Sequence, residues 1–196
     1  MTSYIRILHA SPNAPAVDVY ANEDLIIENL AYAQMSPYIP LPSASYNIRV
    51  YPTGTTRDPI IDTDVYIPPN TVFTVGAIGS LPNISLYPIP EPSIAQNSGN
   101  TCVRFVNLSP NAPAVDVALE GGTIVFNDVA YKGVSNYICI VPGTYMFKVS
   151  PTGSQDAVLM VPDITLEEDV YYTIYVLGLF EETTGLQAIL ITEPRE

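Results

Sequence analysis

Short apolar runs, many of them alternating with polar residues, recur along the whole chain. The first half contains "IRILHA", "AVDVYA", "DLIIENLAY", "SYNIRVYP", "PIIDTDVYIP", "TVFTVGAIG" and "ISLYPI". A period of two places alternate side chains on one buried face, the signature of a strand. Turn signals separate the runs: "SPNAP", "ANED", "PTGTT", "PPNT" and "SLPN". Each supplies Pro, Gly, Asn or Asp where the chain reverses. No stretch carries a convincing helical period. Short strands with turns every 8–12 residues or so predict an immunoglobulin-like sandwich.

The second half repeats the first. "SPNAPAVDV" stands at Ser11–Val19 and again at Ser109–Val117, an offset of 98 positions. Around it, "YIRILHASPNAPAVDVY" lies over "CVRFVNLSPNAPAVDVA", so Arg6 matches Arg104. After a one-residue insertion, "LAYAQMSPYI" lies over "VAYKGVSNYI", "VYPTG" over "VSPTG", and "VFTVGAIG" over "YYTIYVLG". Ordered matches with one insertion predict two tandem copies of one unit. The expected architecture is all-β: two tandem immunoglobulin-like β-sandwich domains of about seven strands each. Residues 1–90 form the first repeat, 91–101 a polar linker and 102–196 the second repeat.

The nonapeptide reads as scaffold. Pro12 and Pro15 fix φ near −65°, and Ser11 and Ala14, each before a proline, are pushed to extended conformations. Asn13 between them suits an Asx-turn. Ser109, Pro110, Asn111 and Pro113 repeat the same stiff bend. In the strand that follows, Asp18 and Asp116 lie on the face opposite their flanking valines. Arg6 and Arg104 lie opposite the apolar residues of the preceding strand. If those two strands pair, Arg6 meets Asp18 and Arg104 meets Asp116 as salt bridges.

Taken together, "RxxHxSP", "NAPAVDV", "LAY…SxY", a Pro-Gly-Thr-Tyr turn and a closing "YYTIY" strand resemble a bacterial family, domain of unknown function 4397. The resemblance spans both repeats. It implies a β-sandwich module, often in tandem, on the surfaces of Gram-positive and related bacteria, and it implies no established activity. The Pro-Gly-Thr-Tyr turn is present as Pro142–Tyr145, whereas the first repeat has "PSASY" at Pro42–Tyr46.

Charge narrows the partners. The 196 residues carry 7 basic and 20 acidic side chains, a net charge of −13. The repeats share this deficit, so neither offers a basic face to nucleic acid or to anionic lipid. No apolar run reaches the length of a membrane span, so no membrane insertion is expected. "MTSYIRILHASP" lacks the charged and apolar regions of a signal peptide. The expected location is a bacterial or spore surface reached without such a signal, with the cytoplasm as the alternative.

Candidate chemistry is sparse. His9 is the one histidine, and its counterpart is Asn107, so a Ser11–His9–Asp18 triad would exist in one repeat alone. Asp62 and Asp64 share a strand face and are the best Ca²⁺ candidates, against a solvated strand as the plainer reading. Cys102 and Cys139, both in the second repeat, leave three readings open: buried thiols, a bridge within the chain, or an intersubunit disulfide. Tyr32, Tyr38 and Tyr46 recur as Tyr131, Tyr137 and Tyr145, which favours a role in the fold, with sugar stacking as the alternative. No cofactor is called for. The expected protein is a non-enzymatic structural or interaction protein of a bacterial surface layer, such as a self-assembling spore-coat or spore-appendage component. Its partners would be itself, as a homo-oligomer or filament, or other surface proteins. The alternative is a small-ligand or carbohydrate-binding module of the cell surface.

Overall fold

A computed structural model describes residues 1–91, 99–182 and 185–193. Two compact units divide the chain, Met1–Pro92 and Ser93–Glu196. The described residues contain strands and no helix, and so nothing long and apolar enough to cross a membrane as a helix.

The first unit runs β1 (Thr2–His9), β2 (Val17–Ala21), β3 (Asp24–Leu30), β4 (Ile39–Pro42), β5 (Ser45–Pro52), β6 (Ile61–Tyr66), β7 (Val72–Ser80) and β8 (Asn83–Pro90). Two four-stranded sheets result, ordered β4-β1-β7-β8 and β3-β2-β5-β6. The second unit repeats this with β9 (Thr101–Asn107), β10 (Val115–Leu119), β11 (Ile124–Val129), β12 (Ile138–Ile140), β13 (Gly143–Pro151), β14 (Leu159–Leu166), β15 (Tyr171–Gly178) and β16 (Leu186–Thr192). Its sheets are β12-β9-β15-β16 and β11-β10-β13-β14. The pairs β1–β7 and β9–β15 are parallel; all other ladders are antiparallel.

Alternation explains the cores. Ile7 of β1, Val17 and Val19 of β2, and Ile48 and Val50 of β5 meet between the sheets of the first unit. Phe105, Val115, Val117, Phe147, Val149 and Ile174 do so in the second. Each such side chain contributes about 1.5–3 kcal/mol on burial. The second core is more aromatic, with Phe105 stacked on Phe126 at 6.1 Å between centroids.

Two expectations need correction. Among the described residues each unit has eight strands, not about seven. The extra ones, β4 and β12, are short edge strands, and β4 carries Pro40 and Pro42, which hide it from a propensity reading. The expected linker also began too early. The Glu91 side chain is buried in the first unit, while residues 92–98 lie outside the described residues.

Candidate functional site

The polar residues that the two units share gather into three recurrent clusters. The first is a buried ion pair. Arg6 sits on β1 opposite Ile5 and Ile7, and its register neighbour on the parallel strand β7 is Thr74. Arg6 Nε lies 2.8 Å from Thr74 Oγ1 and 3.1 Å from Glu91 Oε1. The Thr74 hydroxyl donates to the same carboxylate oxygen at 2.7 Å, and the Tyr38 hydroxyl donates to Oε2 at 2.5 Å. The Tyr38 ring lies 4.8 Å from the guanidinium carbon.

The second unit rebuilds this set. Arg104 Nε donates to Thr173 Oγ1 at 2.8 Å, and Nη2 lies 3.3 Å from Glu193 Oε1. The Thr173 hydroxyl donates to Glu193, and the Tyr137 ring stands 5.0 Å from the guanidinium carbon. Exposure of the paired side chains is 5% and 3% in the first unit, 4% and 0% in the second. Removing two charges from water costs several kcal/mol per ion, which attraction offsets only when hydrogen bonds satisfy the remaining atoms. Thr and Tyr supply those bonds here. Burial, reinforced by the Glu193 charge, pushes the Tyr137 phenol far above its ordinary range, so it remains protonated.

The second cluster is the nonapeptide. The Ser11 hydroxyl donates to the Gly79 carbonyl at 2.7 Å, and Ser109 to Gly178 at 2.8 Å. Asn13 Oδ1 accepts the Leu81 N–H at 3.1 Å, and Asn111 Oδ1 accepts that of Phe180 at 2.7 Å. The proline-stiffened bend therefore clasps the end of β7 and its turn into β8, and the end of β15 likewise. Gly79 and Gly178 have φ of +99° and +97°, and a Cβ there would fall 2.3 and 2.2 Å from a carbonyl oxygen across the turn. Only glycine fits.

His9 belongs to this clasp. Its Nδ1 accepts the Ser11 N–H at 3.3 Å, and its Nε2 lies 2.9 Å from the Pro15 carbonyl. The neutral ring protonated on Nε2 satisfies both partners. Asn107 serves in its place in the second unit, accepting the Ser109 N–H at 3.1 Å and donating to the Val129 carbonyl at 3.1 Å. Burial lowers the His9 pKa against the opposing effect of the Pro15 hydrogen bond. The Ser11 hydroxyl is committed to Gly79, and Asp18 lies among other partners, so the three residues make no triad.

The third cluster overturns the expected salt bridges. Asp18 does not meet Arg6, nor Asp116 Arg104, because β1 and β2 belong to different sheets, as do β9 and β10. Asp18 instead accepts the N–H groups of Asn29 at 2.8 Å and Gly54 at 2.9 Å, and the Thr53 hydroxyl at 3.1 Å. Asp116 accepts the N–H groups of Asp128 at 2.8 Å and Gly153 at 3.1 Å. Asn29 and Asp128 each have φ of +53° where β2–β3 and β10–β11 slip register. The carboxylate thus pins a bulge to the "PTG" turn. Desolvation raises the Asp18 pKa, but its three donors outweigh that and leave it lowered. For Asp116 the Asp128 and Gly153 bonds dominate, again lowering it.

The remaining candidates fall outside these clusters. Cys102 and Cys139 form a disulfide within the chain, so they are not available for an intersubunit link. They are register partners on β9 and β12, where the first unit has Tyr4 opposite Pro40. Asp62 and Asp64 each accept a hydrogen bond from the Asn47 amide, at 2.9 and 3.1 Å. A donor therefore occupies the space between the carboxylates where a cation would need ligands. No group of three or more His, Cys, Asp or Glu side chains poised for a metal occurs among the described residues. Tyr46 and Tyr145 donate to the carbonyls of Pro42 and Val141, fastening the turn four residues upstream. All six repeated tyrosines are half-buried.

The chain belongs to the family described as Domain of unknown function (DUF4397), whose model matches residues 3–118 and 117–196. The first of those segments runs past the end of the first compact unit. No curated protein matches the chain. Among solved structures it is similar to the C-terminal domain of AlgF from P. aeruginosa, at 22% identity and a TM-score of 0.39 over 49% of this chain and 100% of that one. It is also similar to CBMbc (family CBM26) from Eubacterium rectale Amy13K, solved in complex with maltoheptaose. There the identity is 10% and the TM-score 0.29, over 100% of this chain and 99% of that one. At these scores neither likeness carries an argument about function.

Proposed function

We propose that the chain is a non-catalytic structural or interaction module of a bacterial surface layer. One observation carries the reading: the polar residues repeated in both units spend their hydrogen-bonding atoms on their own scaffold. Arg6, Thr74 and Glu91 satisfy one another, Ser11 and Asn13 clasp a turn, and Asp18 pins a bulge. Duplication has preserved a frame. The Cys102–Cys139 disulfide fits an oxidising location, where such bonds persist. The half-buried tyrosines, with Tyr46 and Tyr145 bonded to their own backbone, are poorly suited to act as a sugar-stacking platform.

Antibody labelling of intact source cells, and of their spores, tests the location. The expected result is labelling without permeabilisation, and label on spores would support the finer assignment to a coat or appendage. Label that appears only after permeabilisation refutes the surface reading. Binding on a glycan array that mutation of the repeated tyrosines abolishes would favour the carbohydrate-binding alternative.

A further inference from the structure

Among the described residues eight strands lie at sheet edges, and seven carry a device that discourages pairing with another chain. β4 has Pro40 and Pro42, β8 has Pro88 and Pro90, and β14 has Pro162. β6 carries Asp62 and Asp64, β3 and β11 are bulged, and β12 is three residues long. Prolines, charges, bulges and brevity are the means by which proteins blunt an edge. β16, "LQAILIT", has none of them.

The backbone of β16 is open in a definite pattern. Glu193 N–H bonds to the Tyr171 carbonyl, so the odd-numbered positions face β15, and Leu186, Ala188 and Leu190 direct their N–H and C=O groups away from it. In the first unit the same register places Pro88 and Pro90 at the outward positions of β8. Pro88 corresponds to Leu190. One copy of the duplicated edge is therefore closed and the other open.

We infer that β16 pairs antiparallel with β16 of a second copy of this chain, joining two β12-β9-β15-β16 sheets into one continuous sheet. This goes beyond the surface-layer reading by naming the partner and the strand. Two features select a second copy. Three of the outward positions, Leu186, Ala188 and Leu190, centre on Ala188, so a two-fold axis through Ala188 sets each Leu186 against the other copy's Leu190 and leaves Thr192 outside the paired stretch. β16 is also uncharged in a chain of net charge −13, so it is a place where two acidic copies approach without like charges on the paired strands. An isologous contact of this kind closes on itself and gives a dimer rather than a filament.

Sedimentation across a range of protein and salt concentrations tests it. The intact chain is expected to reach twice its monomer mass, with association strengthening as salt screens the acidic surfaces. Leu190→Pro is expected to weaken dimerisation tenfold or more, while Leu190→Ala, which loses side-chain packing but keeps the N–H, still dimerises. Residue-resolved hydrogen exchange on the unmutated chain is an independent check. Protection of the Leu186, Ala188 and Leu190 amides should grow with protein concentration, while that of Gln187 and Ile189 should not depend on it. A monomer under all conditions, a dimer untouched by Leu190→Pro, or a different protein's strand held by monomeric chains overturns the pairing. A monomer found on the cell surface refutes this pairing alone; a β16-paired dimer confined to the cell interior refutes the surface reading alone.

Discussion

Replacing Glu91 with alanine should destabilise the first unit severely. The substitution removes the acceptor for Arg6 Nε, the Thr74 hydroxyl and the Tyr38 hydroxyl together. The guanidinium remains where its side chain is 5% exposed. Removing one member of a buried ion pair costs about 3–5 kcal/mol. For a unit of this size each kcal/mol lowers Tm by about 4–8 °C, so the expected loss is ~12–40 °C. Glu91→Gln, which keeps one acceptor oxygen, should lose less. The double variant Arg6→Leu with Glu91→Leu should recover most of the loss, because the cost lies in the charge left behind rather than in the attraction removed. Calorimetry of the full chain measures the effect, and hydrogen exchange in β1 and β7 assigns it to the first unit. A Glu91→Ala variant within about 1 kcal/mol of the unmutated chain would refute the claim that this pair is desolvated.

Asp18 and Asp116 have lowered pKa values, so their stabilisation is complete above the ordinary carboxylate range and is lost as pH falls through their folded values. A pH titration of Tm should show this slope, and Asp18→Asn with Asp116→Asn should flatten it. His9 has a lowered pKa, so its contribution is present above about 6.5 and declines as acid protonates Nδ1, which must accept from Ser11. His9→Asn copies the second unit and should change stability by less than about 1 kcal/mol, whereas His9→Leu leaves the buried Ser11 N–H without its acceptor and should cost about 1–3 kcal/mol by urea unfolding. Reducing the disulfide, whose cysteines are 37 residues apart, should cost the second unit about 3–4 kcal/mol. Non-reducing electrophoresis should run the chain as a single species of monomer mass.

Much of the frame was readable because alternation and duplication are local signals. The seven strands predicted for the first unit, the tandem units and the face of β1 that carries Arg6 all follow from residue types at fixed spacings. The partner of Arg6 did not. Adjacency in sequence suggested that β1 pairs with β2, but the sandwich sends them to different sheets and brings in β7 from some seventy positions away. Glu91 was hidden in a polar run that reads as linker once Pro90 ends the last alternating segment. One signal was available: "IPEP" at Ile89–Pro92 recurs as "ITEP" at Ile191–Pro194, repeating the glutamate as faithfully as the arginine. The bulges that Asp18 and Asp116 secure left no mark, because a positive φ at Asn29 or Asp128 has no sequence signature beyond a tolerant residue.

Each buried pair joins the first strand of a unit to the residue just after its last. A ribosome delivers Arg6 early and Glu91 only when the unit is otherwise complete, so a nascent chain halted at Pro90 holds a cation with no carboxylate to meet it. The same holds for any cloned fragment cut there. In each unit that counter-ion stands one residue past the last strand, so a boundary drawn where the strands end separates the arginine from its carboxylate.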